Sequence, residues 1–244
     1  MIVFLHGFGG GAFLWRWQMA GDFLGRPKKA LDLPGHGGTP WHHESLSAMA
    51  EGVCAALERD HITKAVFVAN SFGGLVALKI WQLRPCMVEK IVFVSSLPRF
   101  TQDAGYPAGL NVEKIKKLSH QLEGNSAPVL DMFFRSLFTR GERESGQYAR
   151  IKSLRQGVLP PDKEALQAFL NILETTDLRD VFSSLDVPVQ VILGDSDNLC
   201  PLKVVEPLKQ LLPTARIDVM KGAGHFPFLS MPKEFNDLVR GFVS

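Results

Sequence analysis

The sequence predicts an α/β fold, an open and mainly parallel sheet covered by helices on both faces. Short β-branched or aromatic runs recur at 2–5, 28–31, 65–69, 90–95, 189–193 and 216–220, and most are too uniformly apolar to leave one sheet face wet. Helical patterns lie between them, and strands alternating with helices build parallel sheets. With 244 residues and 45% hydrophobic content, the chain can bury one full core.

The first run opens into His6-Gly7-Phe8-Gly9-Gly10-Gly11 and the second into Asp32-Leu33-Pro34-Gly35-His36-Gly37-Gly38, both tight loops. A helix follows, because Leu46, Met49, Ala50, Val53, Cys54 and Leu57 recur at helical spacing behind Ser45, an N-cap residue type. The third run leads into Asn70-Ser71-Phe72-Gly73-Gly74 and then a helix-like stretch at 75–83. A serine on a sharp strand-to-helix turn needs small neighbours, and Gly73 supplies one. The first glycine of the G-x-S-x-G pattern is Ala69 here. After the fourth run the alternation stops. Between 97 and 186 only helical segments appear, punctuated by residues such as Gly105, Pro107, Gly124, Pro128, Pro160 and Pro161. This predicts one domain over 1–244 with a helical cap inserted at roughly 100–186. The last two runs lead into Gly194-Asp195-Ser196-Asp197-Asn198 and Gly222-Ala223-Gly224-His225-Phe226-Pro227. The chain begins almost on a core strand, so an upstream antiparallel hairpin has no room; a shortened sheet edge and a late start both fit.

Composition removes several function classes. The net charge is +2 over 27 basic and 25 acidic residues, which gives no overall attraction to nucleic acid or anionic membrane. Cys54, Cys86 and Cys200 are odd in number and far apart, against a disulfide framework or a cysteine metal site and in keeping with the reducing cytoplasm. The N-terminus lacks a basic leader, and no apolar run reaches about 18 residues, so neither a signal peptide nor a membrane span is expected. His42-His43-Glu44 is the one dense cluster of ligand types, but adjacent histidines on a polar loop are usually solvated. No metal and no organic cofactor are expected. The glycine-rich loops contain neither G-x-x-x-x-G-K-[ST] nor G-x-G-x-x-G, which argues against nucleotide binding.

Chemistry is carried by three islands, each at the end of its own strand. Parallel strands would bring Ser71, an aspartate of the 194–198 loop and His225 to one sheet edge. Ser71 is the candidate nucleophile and His225 the base that takes its proton. The other histidines are His6, His36, His42, His43, His61 and His120; His6 and His36 sit in tight loops that suit structural roles. Asp195 and Asp197 both lie near enough to orient the imidazole. The backbone N–H of Phe72, just after the serine, and that of Phe8, in the first glycine loop, are the candidate oxyanion donors.

The chain resembles the α/β-hydrolases, in which the triad follows the order Ser, Asp, His. Within them it is most similar to the pimeloyl-acyl-carrier-protein methyl ester esterases of biotin synthesis. The resemblance rests on Phe4-Leu5-His6-Gly7-Phe8-Gly9, Asp32-Leu33-Pro34-Gly35, Ser71-Phe72-Gly73-Gly74-Leu75-Val76-Ala77 and Val94-Ser95-Ser96-Leu97-Pro98-Arg99-Phe100. It continues in Ile172-Leu173-Glu174-Thr175-Thr176-Asp177-Leu178-Arg179, Asp197-Asn198-Leu199-Cys200-Pro201 and His225-Phe226-Pro227-Phe228. It implies a serine carboxylesterase whose triad is Ser71, Asp197 and His225. It further implies substrate contacts from Phe8, Ser71, Phe72, Phe133, Phe134, Arg135, Ser136, Leu137 and His225. Phe8 replaces the family's tryptophan and Ala69-Asn70 its Gly-Trp, departures that bear on the acyl pocket.

The 135–155 segment carries six basic residues against two acidic ones, a surplus of four. Either this is a solvated helix face, or Arg140, Arg143, Arg150, Lys152 and Arg155 form a landing patch for an acidic acyl carrier protein. The expected partners are therefore a small acyl ester and acyl carrier protein, acting on a cytoplasmic monomer. Competing classes are a generalist short-chain esterase, a carbon–carbon lyase or hydrolase such as the menaquinone-pathway synthase, and a non-catalytic binding protein. The synthase often has arginine just after its paired glycines, where this chain has Leu75. Hydrolases that use an aspartate nucleophile conflict with serine at position 71.

Overall fold

The computed structural model describes residues 1–42 and 45–244; His43 and Glu44, and with them the His42-His43-Glu44 cluster, lie outside the described residues. Its centre is a six-stranded sheet of β1 (Ile2–Leu5), β2 (Lys28–Leu31), β3 (Ala65–Asn70), β4 (Val88–Val94), β5 (Val189–Gly194) and β6 (Arg216–Met220). The spatial order is β2-β1-β3-β4-β5-β6, and every pairing is parallel. β3 and β5 each run one residue beyond the ends read from sequence, and β4 starts two residues earlier and ends one residue sooner.

Helices α1 (Arg16–Ala20), α2 (Leu46–Arg59) and α3 (Phe72–Leu83) connect the first four strands. Between β4 and β5 lie α4 (Val112–Leu122), α5 (Ser126–Ser136), α6 (Arg140–Glu144), α7 (Gln147–Leu154), α8 (Lys163–Thr175) and α9 (Arg179–Ser183). Helix α10 (Val205–Leu211) lies between β5 and β6, and the chain finishes with α11 (Pro227–Ser230) and α12 (Pro232–Val243). No helix among the described residues is long and apolar enough to cross a membrane.

Strand periodicity divides the interior into two cores. Val3, Leu5, Phe67, Ala69, Ile91 and Phe93 point to the side covered by α2, α3 and α8. Their neighbours Ile2, Phe4, Val66, Val68, Val92 and Val94 point to the side covered by α12 and by Trp15 and Phe228. Helix α2 buries all six residues of its periodic stripe, and Ser45 Oγ accepts the Ala48 N–H at 3.1 Å as its N-cap. At the edges, β2 is only half-buried and β6 carries exposed positions, where charged side chains discourage further strand pairing.

The two loops leaving β1 and β2 are tied together by buried histidines. His6 Nε2 accepts the Leu33 N–H at 2.9 Å, so its proton resides on Nδ1, which donates to the Gly7 carbonyl at 2.8 Å. His36 Nδ1 donates to the Pro34 carbonyl at 3.1 Å, while its buried Nε2 has no partner among the described residues. The His36 ring lies 4.9 Å from His6 and 4.8 Å from Phe169 of α8, and Phe169 stacks on Phe72 at 4.0 Å. Four rings thus form a column from the β1 loop to the start of α3.

Burial holds both imidazoles neutral, pushing His6 down to about 4, and His36, with His6 beside it, to about 3. Their unfolded counterparts titrate near 6.5. The stability from the neutral rings is therefore complete above pH 6.5 and lost as pH falls toward 4, because only the unfolded chain gains protons in that window. Thermal melts between pH 6.5 and 5 are expected to show a midpoint falling with pH. A shallower fall is expected in His36→Gln, and an unchanged slope would show that His36 takes no part.

Candidate active site

Ser71, Asp197 and His225 each follow the C-terminal end of a strand, β3, β5 and β6 respectively. Since these strands are parallel, all three side chains stand on one edge of the sheet.

Ser71 occupies a turn with φ 52° and ψ −120°, a conformation that costs a non-glycine residue about 1–3 kcal/mol. Its neighbours hold it there. The Ser71 N–H donates to the Val94 carbonyl at 2.9 Å, and the Ser71 carbonyl accepts the Ser96 hydroxyl at 2.6 Å. Asn70 Nδ2 also donates to the Val94 carbonyl, at 3.0 Å. On the opposite side the turn presses against the end of β1. A Cβ on Gly73 would stand 2.8 Å from the Leu5 and His6 carbonyl oxygens, and one on Gly7 would stand 2.9 Å from Ser71 Cβ. Ala69, by contrast, sits buried in the β3 ladder opposite Leu5 and Phe93. The close packing therefore falls on Gly73 and Gly7, while position 69 accommodates a methyl group.

His225 and Asp197 are buried and joined by a hydrogen bond of 2.8 Å between Nδ1 and Oδ2. Asp197 Oδ1 accepts the Leu199 and Cys200 N–H groups at 2.8 and 3.1 Å, so both carboxylate oxygens are engaged. Burial opposes the charge on Asp197, but the imidazole and these hydrogen bonds outweigh it and hold the carboxyl below the usual range. Asp195 faces elsewhere and accepts the Gly222 N–H at 2.8 Å. This bond, with Ser196 N–H to Ala223 carbonyl at 3.1 Å, fastens the aspartate loop to the histidine loop. No hydrogen bond joins Ser71 to His225 among the described residues; such contacts commonly tighten only with substrate bound.

Sequence reading missed Glu142. This buried carboxylate closes a capping box with Thr139 at the start of α6, and its Oε1 accepts the Gly224 N–H at 3.0 Å. The His225 N–H in turn donates to the Leu137 carbonyl at 3.0 Å. The signal was present as Thr139-Arg140-Gly141-Glu142, the spacing of a capping box.

Ser71 opens into a cavity of about 530 Å³. Phe8 and Phe133 line it, edge-to-face at 5.4 Å, together with Phe100, Leu110, Leu170, Leu173 and Ser136. The other expected substrate contacts are placed differently. Phe134 and Leu137 are buried in the core, Arg135 is exposed, the Phe72 ring stacks on Phe169, and none of these, nor His225, is among the cavity-lining residues. Helix α3 begins at Phe72, so the Phe72 N–H is unpaired within it and carries the positive end of its dipole.

Among the described residues, one group of ligand types clusters: Asp197, Cys200 and His225 each offer an atom within 4.8 Å of the others. Asp197 Oδ2 and His225 Nδ1 are already committed to each other, and burial, with Asp197 beside it, pushes the Cys200 thiol far up. That donor set suits a hydrogen-bonded pair, not a cation.

The sheet order, the strained serine turn and the buried aspartate–histidine pair define the α/β-hydrolase class. The chain belongs to the alpha/beta hydrolase family, whose model matches residues 2–238. It is 34% identical to a pimeloyl-[acyl-carrier protein] methyl ester esterase of Yersinia pseudotuberculosis over 99% of this chain and 92% of that one. With a Vibrio parahaemolyticus protein of the same name it shares 33% identity, over 99% and 93%. In fold it is similar to an esterase from Exiguobacterium antarcticum, with a TM-score of 0.88 at 21% identity over 99% of this chain and 91% of that one.

Replacing either aspartate separates their roles. Asp197→Asn is expected to lower kcat on a p-nitrophenyl ester by about 10³–10⁴-fold, the scale of losing an imidazole's orienting carboxylate. Asp195→Asn is expected to lower the melting midpoint while kcat stays within about threefold. The opposite pattern would exchange the two assignments.

Proposed function

We propose that the chain is a serine carboxylesterase that hydrolyses the methyl ester of a pimeloyl thioester carried on acyl carrier protein. One observation carries the reading: a serine on a strained turn opens into a largely apolar cavity, at the sheet edge that holds a buried aspartate–histidine pair. The named relatives supply the substrate class.

Ser71 Oγ attacks the ester carbonyl carbon as His225 Nε2 takes the hydroxyl proton, and Asp197 stabilises the imidazolium that forms. The Phe8 and Phe72 N–H groups receive the oxyanion. Collapse expels methoxide, which takes the proton from His225 and leaves as methanol. Water, activated by the same imidazole, then attacks the acyl-enzyme, releasing the free acid and restoring the serine. The apolar walls hold the acyl chain and exclude competing solvent. In this reading residues 1–244 are one domain, the segment at roughly 100–186 caps the site, and the enzyme works as a monomer in the cytoplasm, where its three free thiols stay reduced.

The carrier patch is reshaped by the contacts its members make. Arg155 is half-buried over the Phe134 ring at 4.4 Å, and Arg143 donates to the Phe138 carbonyl, so both serve the cap's packing. Lys152 pairs with Asp131 at 2.9 Å. Arg140, paired with Glu144, and Arg150, over the Trp17 ring at 4.9 Å, are exposed and remain the best candidates to face an acidic partner.

Wild type is expected to hydrolyse a methyl pimeloyl thioester, and Ser71→Ala to lose at least about 10⁴-fold in kcat. Surviving activity in the alanine variant would overturn the mechanism, and wild-type activity on short p-nitrophenyl esters alone would replace the reading with a generalist esterase. Arg140→Glu with Arg150→Glu is expected to raise KM several-fold for the carrier-bound ester relative to a short soluble ester. Equal changes on both would remove the patch.

A further inference from the structure

The cavity wall has a polar face that the mechanism leaves unused. Helix α4 turns Lys114, Lys117, Leu118 and Gln121 toward the cavity, positions three or four apart that share a helix face. Both lysines are exposed. Neither side chain makes an ion pair or hydrogen bond among the described residues, whereas Lys116, on another face, pairs with Glu113 at 3.3 Å. Among the described residues the cavity lining includes no carboxylate. Two lysines whose side chains are unpaired among the described residues thus share with Ser71 the lining of a mostly apolar chamber. By contrast, the cations of the 140–155 segment are engaged with Glu144, Phe138, Trp17, Asp131 and Phe134.

We propose that Lys114 and Lys117 select esters whose far end is anionic, binding that charge while the apolar chain between runs down to Ser71. The proposal rests on the esterase reading above and makes α4 a specificity element of the same site. The anion has two chemical sources, the phosphate of a phosphopantetheine arm or the free carboxylate of a dicarboxylic half-ester. Either would be drawn by the unopposed positive charge, and the attraction would weaken with salt because the lysines are exposed.

The test compares wild type, Lys114→Gln with Lys117→Gln, and Lys114→Arg with Lys117→Arg on four methyl esters. These are the methyl pimeloyl thioester of phosphopantetheine, the same thioester of unphosphorylated pantetheine, pimelate monomethyl ester and pimelate dimethyl ester. In the glutamine variant, KM for at least one anionic ester is expected to rise about fivefold to tenfold relative to its neutral counterpart, with kcat little moved. The arginine variant is expected to restore most of that ratio, and added salt to erode it in wild type. A shift confined to the phosphorylated thioester assigns the phosphate, and one confined to the monomethyl ester assigns the carboxylate. An active wild type whose anionic-to-neutral ratios do not change in the glutamine variant overturns the lysine proposal alone. A wild type inactive on all four esters removes the esterase reading and this proposal with it.

Discussion

The backbone of Ser71 is bent into a conformation that serine does not choose, and the site depends on the contacts that enforce it. β4 grips the turn through the Val94 carbonyl and the Ser96 hydroxyl, while β1 closes against it so tightly that Gly73 and Gly7 have no room for a side chain. The strain is offset by the two central strands flanking β3, which are buried along almost their whole length. In return the hydroxyl stands clear of the sheet, and α3 begins one residue later with an N–H unpaired within the helix. A rigid parallel sheet is what allows a loop residue to be held out of its preferred geometry.

Much of this was legible in the sequence because it is encoded locally. The six strands are short apolar runs, and the α2 stripe and its Ser45 cap follow from spacing alone. The serine, aspartate and histidine islands could be recognised because each ends such a run. The lost first glycine looked like a defect because the motif is written along one strand. The packing that matters crosses strands, and Gly7, more than sixty residues away in the chain, supplies a contact that the linear pattern does not show. The choice between Asp195 and Asp197 was likewise invisible to spacing. In space one carboxylate, Asp197, meets His225, and the other, Asp195, meets the Gly222 N–H.

The segment between β4 and β5 was the least legible part. Its helices follow from pattern, but their facing does not, since each packs on one side against the core and on the other against cavity or solvent. Of the five consecutive residues 133–137, two line the cavity, two are buried and one is exposed, as a helix crossing the rim must arrange them. A charge count over 135–155 met the same difficulty. It sums residues that point in different directions, and half-buried Arg155 lends its guanidinium to an aromatic face instead of to solvent.

Glu142 and Leu137 fasten the histidine loop to the segment between β4 and β5 through the Gly224 and His225 N–H groups. Moving the stretch where α5 gives way to α6 would therefore pull on His225 and its hydrogen bond to Asp197. No hydrogen bond among the described residues ties α4 or the first turn of α5 to the histidine loop. The segment between β4 and β5 is thus anchored by hydrogen bonds to that loop at one place and independent of such bonds elsewhere.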